Sequence, residues 1–339
     1  MSKRLIFIFF IIFAARLEAQ SFATYAGEFL TLGAGARSLA LGGAAIPFAN
    51  DATAGYWNPA NLSELKFPVI NGMHDARYDN TVTYDYGAVA IPVGKTGGAS
   101  LSVFHIGVSD IKDTRLAFVN RSGTGTFDGE NFLDISKVTI FGNYDWGFYL
   151  SYGQARDSNL SYGATFKFIL RKLESQNSAT GFGFDAGIKY KILPNFMLAA
   201  VGQDITTTLL SYTTGTKELV APTVKLGGAY IWNIFASENN TLMPALDVDL
   251  RFENRVGEIE FGPVSADLHF GVEYCYKNII ALRGGITDTK KLTLGAGIHL
   301  PKLTVDFAFQ NFNAQEDPGN IYRASFAVSL ENLKWKRAE

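Results

Sequence analysis

Two carboxylates on one strand are the first candidate for chemistry in this sequence. In ALDVDLRFENR, Asp247 and Asp249 are two residues apart, so on a β-strand they project from the same face, as a general acid and a general base would. Arg251 follows on that face. A charge-balanced wall explains the three residues better than a catalytic pair does, because structural ion networks also bring such groups together.

Other signals of catalysis or of a bound cofactor are weak. The stretch GAGARS (33–38) lacks the third glycine and the βαβ context of a dinucleotide-binding turn. The four histidines (74, 105, 269 and 299) show no metal-ligand spacing. Cys275 is the single cysteine, which excludes an internal disulfide, and we interpret it as a small buried filler. A net charge of −2 gives no argument for nucleic acid. We therefore predict no enzyme activity, cofactor or metal.

The elements that position these charges are predicted to be strands. From about residue 67 onward, apolar and polar residues alternate with the period of a strand that has two unlike faces. In SYGATFKFILRK, for example, Phe166 and Phe168 lie opposite Lys167. Fourteen such segments lie near residues 67–74, 81–91, 98–106, 147–154, 159–171, 180–190, 196–203, 222–232, 244–253, 268–276, 279–286, 292–300, 303–310 and 322–330.

The connections between these segments are short on one side and mostly longer on the other, which is typical of a bacterial outer-membrane barrel. A soluble sandwich or barrel also shows alternation, but its dry core would not tolerate this many charges. We predict an all-β fold, a transmembrane antiparallel β-barrel of about 14 strands over residues 66–330. The charges predicted to face its lumen are Lys167, Asp185, Lys189, Asp247, Asp249, Arg251, Glu273, Arg283, Asp306 and Arg323. Candidates for aromatic girdles at the membrane surfaces are Tyr84, Tyr86, Trp146, Tyr149, Tyr230 and Trp232.

The start of the chain indicates export. Residues 1–19 combine Lys3 and Arg4 with an apolar run of eleven residues, which predicts a cleaved signal peptide. A membrane anchor is the alternative, but spanning a bilayer takes roughly 20 apolar residues. The predicted location is the bacterial outer membrane. Residues 331–339 are predicted to form a periplasmic tail, which departs from the C-terminal aromatic residue at which outer-membrane barrels commonly end.

Residues 20–65 differ from the rest because they are rich in glycine and alanine. Their sequence AGEFLTLGAGARSLALGGAAIPFANDATAGYWNPANLSEL (26–65) resembles the start of PorV/PorQ family outer-membrane proteins, within the wider FadL-like barrels. The stretches 273–286 and 303–312 also resemble that family, so the resemblance covers most of the mature chain. It implies a FadL-like barrel in which residues 20–65 pack inside as a plug. The motif residues are Arg37, Gly42, Gly43, Asp51, Tyr56, Trp57, Asn58, Pro59 and Ala60.

A plug of this kind needs small residues for close packing and polar anchors to the charged inner wall. We expect Arg37 and Asp51 to pair with luminal charges such as Asp247, Asp249 or Arg251. The alternative is that Arg37 and Asp51 cap local turns.

The resemblance implies two roles, besides a purely structural barrel. The first is a type IX secretion shuttle or surface-attachment component that binds secreted protein through its outer loops, and we favour it at this point. Its candidate loop contacts are Phe118, Phe127, Phe132, Leu209, Leu210, Tyr212 and Phe312. The second is FadL-like transport of a hydrophobic small molecule through the plug and a lateral opening. The expected partners are therefore outer-membrane lipid and either secreted protein or a small hydrophobe.

Overall fold

The structure is a computed structural model that describes residues 27–78, 80–119, 132–173, 177–234, 239–252, 259–262, 264–310 and 320–331. Its helical segments are short: Glu28–Leu30, α1 (Ala36–Ala40), α2 (Ala54–Trp57), Pro59–Glu64 and Ile135–Lys137. The strands are β1 (Val69–Arg77), β2 (Val82–Val93), β3 (Gly97–Asp113), β4 (Phe118–Val119), β5 (Phe132–Leu133), β6 (Thr139–Ala155), β7 (Leu160–Leu173), β8 (Asn177–Leu193), β9 (Phe196–Gln203), β10 (Thr208–Tyr212), β11 (Lys217–Val220), β12 (Thr223–Tyr230), β13 (Trp232–Asn233), β14 (Thr241–Arg251), β15 (Ile259–Phe261), β16 (Val264–Tyr276), β17 (Ile280–Ile286), β18 (Leu292–His299), β19 (Leu303–Gln310) and β20 (Ile321–Ser329).

The sheet closes on itself because β1 pairs antiparallel with both β2 and β20. Met73 shows this directly, since it lies opposite Tyr86 on one side and Ser325 on the other. Within the described chain, fourteen antiparallel strands form this wall: β1, β2, β3, β6, β7, β8, β9, β12, β14, β16, β17, β18, β19 and β20. The predicted fold, a closed antiparallel barrel of 14 strands, is confirmed.

The two faces of the wall have opposite character. Large apolar side chains on the outside are strongly exposed, such as Leu101 (59%), Leu150 (60%) and Leu282 (55%). Residues on the inside are mostly polar, charged or small, apart from a group of aromatic side chains, and most of them are buried. This arrangement suits hydrocarbon outside and a filled lumen inside. No helix among the described residues has both the length and the apolar character needed to span a bilayer.

Several predicted boundaries and faces were wrong. The strands β3 and β6 extend well beyond the predicted segments and shorten the connection assigned to residues 107–146. Much of the predicted loop 204–221 is strand, because β10 continues the ladder with β8 and pairs with β11. Of the girdle candidates, Tyr84, Tyr86 and Tyr149 are buried inside the barrel. Alternation gives two faces but does not say which one an aromatic residue should occupy.

Two neighbouring strands of the wall are interrupted at the same level: one consists of β9 and β10, and the other of β11 and β12. The ladder between β9 and β12 ends at the pair Gln203 and Thr223, and the ladder between β10 and β11 resumes at Thr208 and Val220. Residues 204–207 therefore bulge against only two residues, 221–222, on the neighbouring strand. Asp204 and Thr207 both have positive φ angles, of 54° and 62°. We call residues 204–207 and 221–222 the wall break.

Residues 27–65 lie against the inward faces of strands on both sides of the barrel. The helix α1 contacts β17 to β20, whereas the segment Pro59–Glu64 contacts β3, β6, β7 and β8. Most residues from 30 to 65 are buried. We call residues 27–65 the inner segment. The predicted signal peptide, residues 20–26 and the part of the predicted tail from 332 onward lie outside the described residues.

The outward apolar face generates a prediction. Phe166 on β7 is 39% exposed, and its ring lies 5.2 Å from that of Phe184 on β8. Phe166→Arg would place a charge in hydrocarbon and should destabilise the barrel in lipid vesicles by about 2–4 kcal/mol, measured by urea unfolding. Phe166→Leu is the control. Equal stability of the two variants would show that this face does not contact lipid.

Candidate functional site

Charged side chains of the wall hold the backbone of the inner segment. Arg323 on β20 donates to the carbonyl groups of Leu32 (2.8 Å), Gly33 (3.2 Å) and Gly35 (3.3 Å). Across the barrel on β14, a carboxylate oxygen of Asp247 accepts from the amides of Ala45 (2.7 Å) and Ile46 (3.0 Å). The wall thus satisfies backbone groups that would otherwise be buried without partners.

Arg37 links the inner segment to a chain of wall charges. Its guanidinium donates twice to the carboxylate of Glu273, at 2.8 Å each. Glu273 also accepts from Arg283 (2.5 Å), and Arg283 donates to Asp306 (2.6 Å). Burial opposes the charge of Arg37, but the Glu273 carboxylate holds the pKa of Arg37 above its ordinary value.

The expected pairing with a luminal charge is found for Arg37, but its partner is Glu273 and not Asp247, Asp249 or Arg251. Arg37 reaches Glu273 instead, because α1 lies against β17 to β20 rather than β14. Asp51 accepts from the amide and hydroxyl of Thr53 and from the side-chain amide of Asn71. It thus caps its own turn, which was the alternative interpretation.

At the opposite end of the inner segment, Glu64 pairs with Lys189 (2.8 Å) and Lys191 (2.7 Å) of β8. Burial alone would raise the pKa of Glu64, but the two ammonium groups hold it below its ordinary value. The ten charges predicted to face the lumen are all buried on the inward face, and Lys189, Asp247, Glu273 and Arg323 contact the inner segment directly.

The glycine pair of the motif allows the segment to touch the wall. Gly42 (φ 69°) donates to the hydroxyl of Thr293 (3.1 Å), and its carbonyl lies 2.8 Å from Nδ1 of His269. A Cβ at Gly42 would overlap the carbonyl oxygen of Ile286, and a Cβ at Gly43 (φ 91°) would lie 2.8 Å from His269. Only glycine combines this backbone conformation with this approach.

The motif YWNPA (56–60) forms the centre of the inner segment. The Tyr56 hydroxyl donates to the carbonyl of Leu30 (2.6 Å) and accepts from the amide of Gly33 (2.9 Å), and burial raises the pKa of Tyr56 to about 12. The Trp57 indole donates to the carbonyl of Ala34 (2.8 Å). Asn58 caps the turn that Pro59 begins, by accepting from the amide of Ala60 (3.0 Å).

An aromatic cluster occupies the lumen beside this motif. Tyr56 stacks on Tyr149 at 5.9 Å, and Phe104 meets Tyr149 edge-on at 5.5 Å. Phe29, near the start of the inner segment, lies 6.5 Å from Phe104 and beneath the Arg171 guanidinium at 4.4 Å. The cluster gives the lumen an apolar side, although the rest of the wall is polar.

The start of the inner segment, residues 27–31, reaches the wall break. A small cavity of about 20 Å³ there is lined by Leu30, Tyr149, Val220 and Ala221 together with polar neighbours. Residues 27–31 therefore lie between the aromatic cluster and the interrupted strands.

A buried ion cluster holds the wall break inward. Lys167 on β7 contacts the carboxylates of Asp185 (2.7 Å) and Asp204 (2.6 Å), and Asp185 accepts from the amide of Asp204 (2.8 Å). The hydroxyl of Thr208 donates to Asp204 as well. Lys167 and Asp185, two of the predicted luminal charges, thus contact the wall break.

A larger cavity of about 290 Å³ lies between the inner segment and the long-loop ends of the strands. Asp249 pairs there with Lys225 and lies 3.4 Å from Nε2 of His269, while Arg251 lies 3.1 Å from Asp267. Charges of both signs line this cavity, so it suits water and polar groups better than a hydrocarbon.

The predicted loop contacts do not form one surface in the described chain. Leu210 is fully buried and Leu209 lies beside it in β10, while the Tyr212 hydroxyl donates to Glu218 (2.6 Å). Phe118 and Phe132 belong to the two-residue strands β4 and β5, which pair with each other. Phe127 and Phe312 lie outside the described residues.

Several inward-facing charged residues that form ion pairs in the lumen were not predicted from the sequence. Asp75 and Arg77 continue the inward alternation of Asn71 and Met73, so the period that marked β1 would have found them had the strand been extended. Asp204 lies in a bulge where alternation stops, and no local signal identified it.

No protein-family model matches the chain, and no curated protein matches it in sequence. Several solved structures match it in fold. The toluene transporter TbuX of Ralstonia pickettii has a TM-score of 0.57 at 14% identity, covering 88% of this chain and 98% of its own. The toluene transporter TodX of P. putida has 0.56 at 12%, covering 88% and 99%. The monoaromatic hydrocarbon channel CymD has 0.56 at 13%, covering 88% and 98%. The chain therefore shares the barrel fold of these three structures; membership of the PorV/PorQ family is not shown.

The close approach at Gly42 generates a prediction. Gly42→Ala combines a strained backbone conformation with a clash, and we expect it to destabilise the barrel by about 2–5 kcal/mol in urea unfolding. Gly215→Ala is the matched control, because Gly215 also has a positive φ (87°) but has open space around its Cβ position. Its cost should be about 1–2 kcal/mol. Equal losses would contradict tight packing of the inner segment on the wall.

Proposed function

We propose that this protein is an outer-membrane channel that passes a small hydrophobic molecule. The observation that carries the proposal is the position of the wall break, which lies directly beside the start of the inner segment and the aromatic cluster. An apolar solute that enters the lumen beside Arg171, and not through the charged cavity, would meet this cluster at Phe29. The interrupted strands offer it an exit sideways into the bilayer.

In this proposal the inner segment has two parts. Residues 32–65 act as a fixed plug, since Arg323, Asp247, Glu273 and Lys189 hold them to strands around the barrel. The start, residues 27–31, moves to let the solute pass. The side chains of Phe29 and Leu30 contact the cluster through apolar surfaces that a hydrophobic solute can replace, and the movement breaks the hydrogen bond from the Tyr56 hydroxyl to the Leu30 carbonyl.

The comparisons support this choice over protein handling. The structures described above are named as transporters of toluene or as a channel for monoaromatic hydrocarbons. The likeness is one of fold, so the transported molecule is proposed here only as a class. The same fold, with its apolar outer face, supports placement in the bacterial outer membrane after export.

The role predicted first, a type IX secretion shuttle or attachment component, stays a prediction. It depends on the resemblance of residues 26–65 to the PorV/PorQ family and on loop residues such as Phe127 and Phe312, which lie outside the described chain. Native mass spectrometry of protein extracted from its own membrane tests it. A stoichiometric secreted protein would favour the shuttle, whereas a bound small hydrophobe would favour the channel.

A disulfide beside the wall break, between the start of the inner segment and β11, tests the channel. A Cβ built on Gly27 lies 3.5 Å from the Cβ of Val220, which is within the range of a disulfide. The double variant Gly27→Cys/Val220→Cys should lock the start of the inner segment when oxidised. We expect uptake of toluene into proteoliposomes to fall at least about tenfold, a barrier change of about 1.4 kcal/mol, and to recover on reduction.

The single variants Gly27→Cys and Val220→Cys are the controls, and neither should respond to oxidant. Uptake by the oxidised double variant at the wild-type rate would exclude movement of residues 27–31. If wild-type proteoliposomes take up neither toluene nor any of several other small hydrophobic molecules, the channel itself is excluded.

The ion cluster at the wall break gives a second prediction. Asp204→Asn removes the carboxylate that ties the bulge to Lys167, so we expect faster uptake with a folded barrel. Asp185→Asn is the matched control, because it also removes a carboxylate of Lys167 but keeps an amide oxygen that can accept from the backbone amide of Asp204. Initial uptake rates of both variants check this. Equal rates would mean that the cluster does not control the break.

A further inference from the structure

One end of the barrel carries a ring of exposed cations. Tight turns connect the strands there at residues 94–96, 156–159, 194–195, 277–279 and 300–302, and we call it the short-turn end. Its exposed cations are Lys66, Lys95, Arg156, Lys277 and Lys302. Among the described residues of this end, Asp157 is the one exposed carboxylate. The cations come from different connections, so they are spread around the circumference.

The side chains between this ring and the strands are those of a membrane interface. Exposed aromatic residues at the short-turn ends of the strands are Tyr152 (45%), Tyr162 (47%), Tyr190 (47%), Tyr230 (38%), Trp232 (58%) and Tyr276 (43%). Such belts lie at the headgroup level of a bilayer. The ammonium group of Lys277 lies 5.2 Å from the ring of Tyr276, which places this cation at the belt itself.

The turns themselves are partly apolar. Leu193, Ile279 and Leu300 are 52%, 47% and 51% exposed next to the turn tips. Turns that projected into water would gain nothing from large apolar side chains at their tips. Beside cations and an aromatic belt, these side chains fit turns that rest in the headgroup layer, with apolar groups toward the acyl chains.

We infer that the short-turn end binds anionic phospholipid headgroups of the adjacent leaflet. The ring supplies positive charge at headgroup level, and phosphatidylglycerol supplies the complementary negative charge. An acidic soluble polypeptide would match the charge but not the apolar turn tips. The inference depends on the barrel lying in a membrane and not on what the channel passes. Each cation that engages an anionic headgroup is worth a factor of about five in binding.

Lipid competition tests the inference. Purified protein in detergent is offered equal amounts of phosphatidylglycerol and phosphatidylethanolamine with the same acyl chains, and native mass spectrometry counts the lipids retained. We expect the wild type to favour phosphatidylglycerol by at least about tenfold, and added salt to reduce this preference. The ring variant replaces all five cations by glutamine and should lose the preference.

The control replaces five exposed lysines at the other end of the barrel by glutamine, Lys112, Lys137, Lys172, Lys217 and Lys290. It should keep the wild-type preference. Heat-modifiable gel mobility verifies that each variant is folded. Equal preferences in the ring variant and the control, or no preference in the wild type, would overturn the inference. Retention of soluble polyglutamate without a lipid preference would also overturn it, in favour of an acidic partner.

Discussion

The structure depends on one reciprocal constraint inside the barrel. The wall carries buried charges that need partners, and the inner segment carries buried backbone groups that need partners as well. Arg323 and Asp247 meet both requirements from different sides of the barrel, since Arg323 binds three backbone groups of the inner segment and Asp247 binds two. The segment itself has only four charged residues, Glu28, Arg37, Asp51 and Glu64.

This constraint explains why the inner segment is rich in small residues. A wall side chain can bond to a backbone amide or carbonyl of the inner segment only if that backbone lies close to the wall. Gly42 and Gly43 permit this close approach at β16 and β17. Anchors of this kind fix residues 32–65. They leave the start of the segment as the part that contacts the lumen mainly through Phe29 and Leu30, next to the wall break. A fixed plug and a side opening are therefore compatible in one barrel.

The sequence predicts the barrel well and the site only in part. Alternation over fourteen segments predicts the closed wall, because each strand has one apolar and one polar face. It also selects charges such as Lys167 and Glu273, which are buried on the inward face of the wall. It cannot say which wall charge meets which part of the inner segment, since that depends on how α1 packs across the lumen. For this reason Arg37 pairs with a predicted luminal charge, Glu273, but not with the three charges named as examples.

The wall break was missed for a related reason. Residues 204–221 contain polar residues and glycine and resemble a loop, but Leu210 continues the inward face of a strand that resumes after a bulge. The bulge is held by Asp204, whose partner Lys167 is far away in the chain. The positions of Tyr84 and Tyr149 were mispredicted for the same reason, because tyrosine suits a membrane surface as well as it suits the buried cluster around Tyr56.

The most direct test of the account is hydrogen–deuterium exchange of the barrel in lipid nanodiscs. The central claim is that the inner segment is fixed except at its start. Amides of residues 27–31 and 204–207 should exchange within minutes, while those of residues 32–65 stay protected for hours, as strand amides do. Fast exchange throughout residues 27–65 would contradict the fixed plug, and uniform protection of residues 27–65 and 204–207 would contradict the movable start.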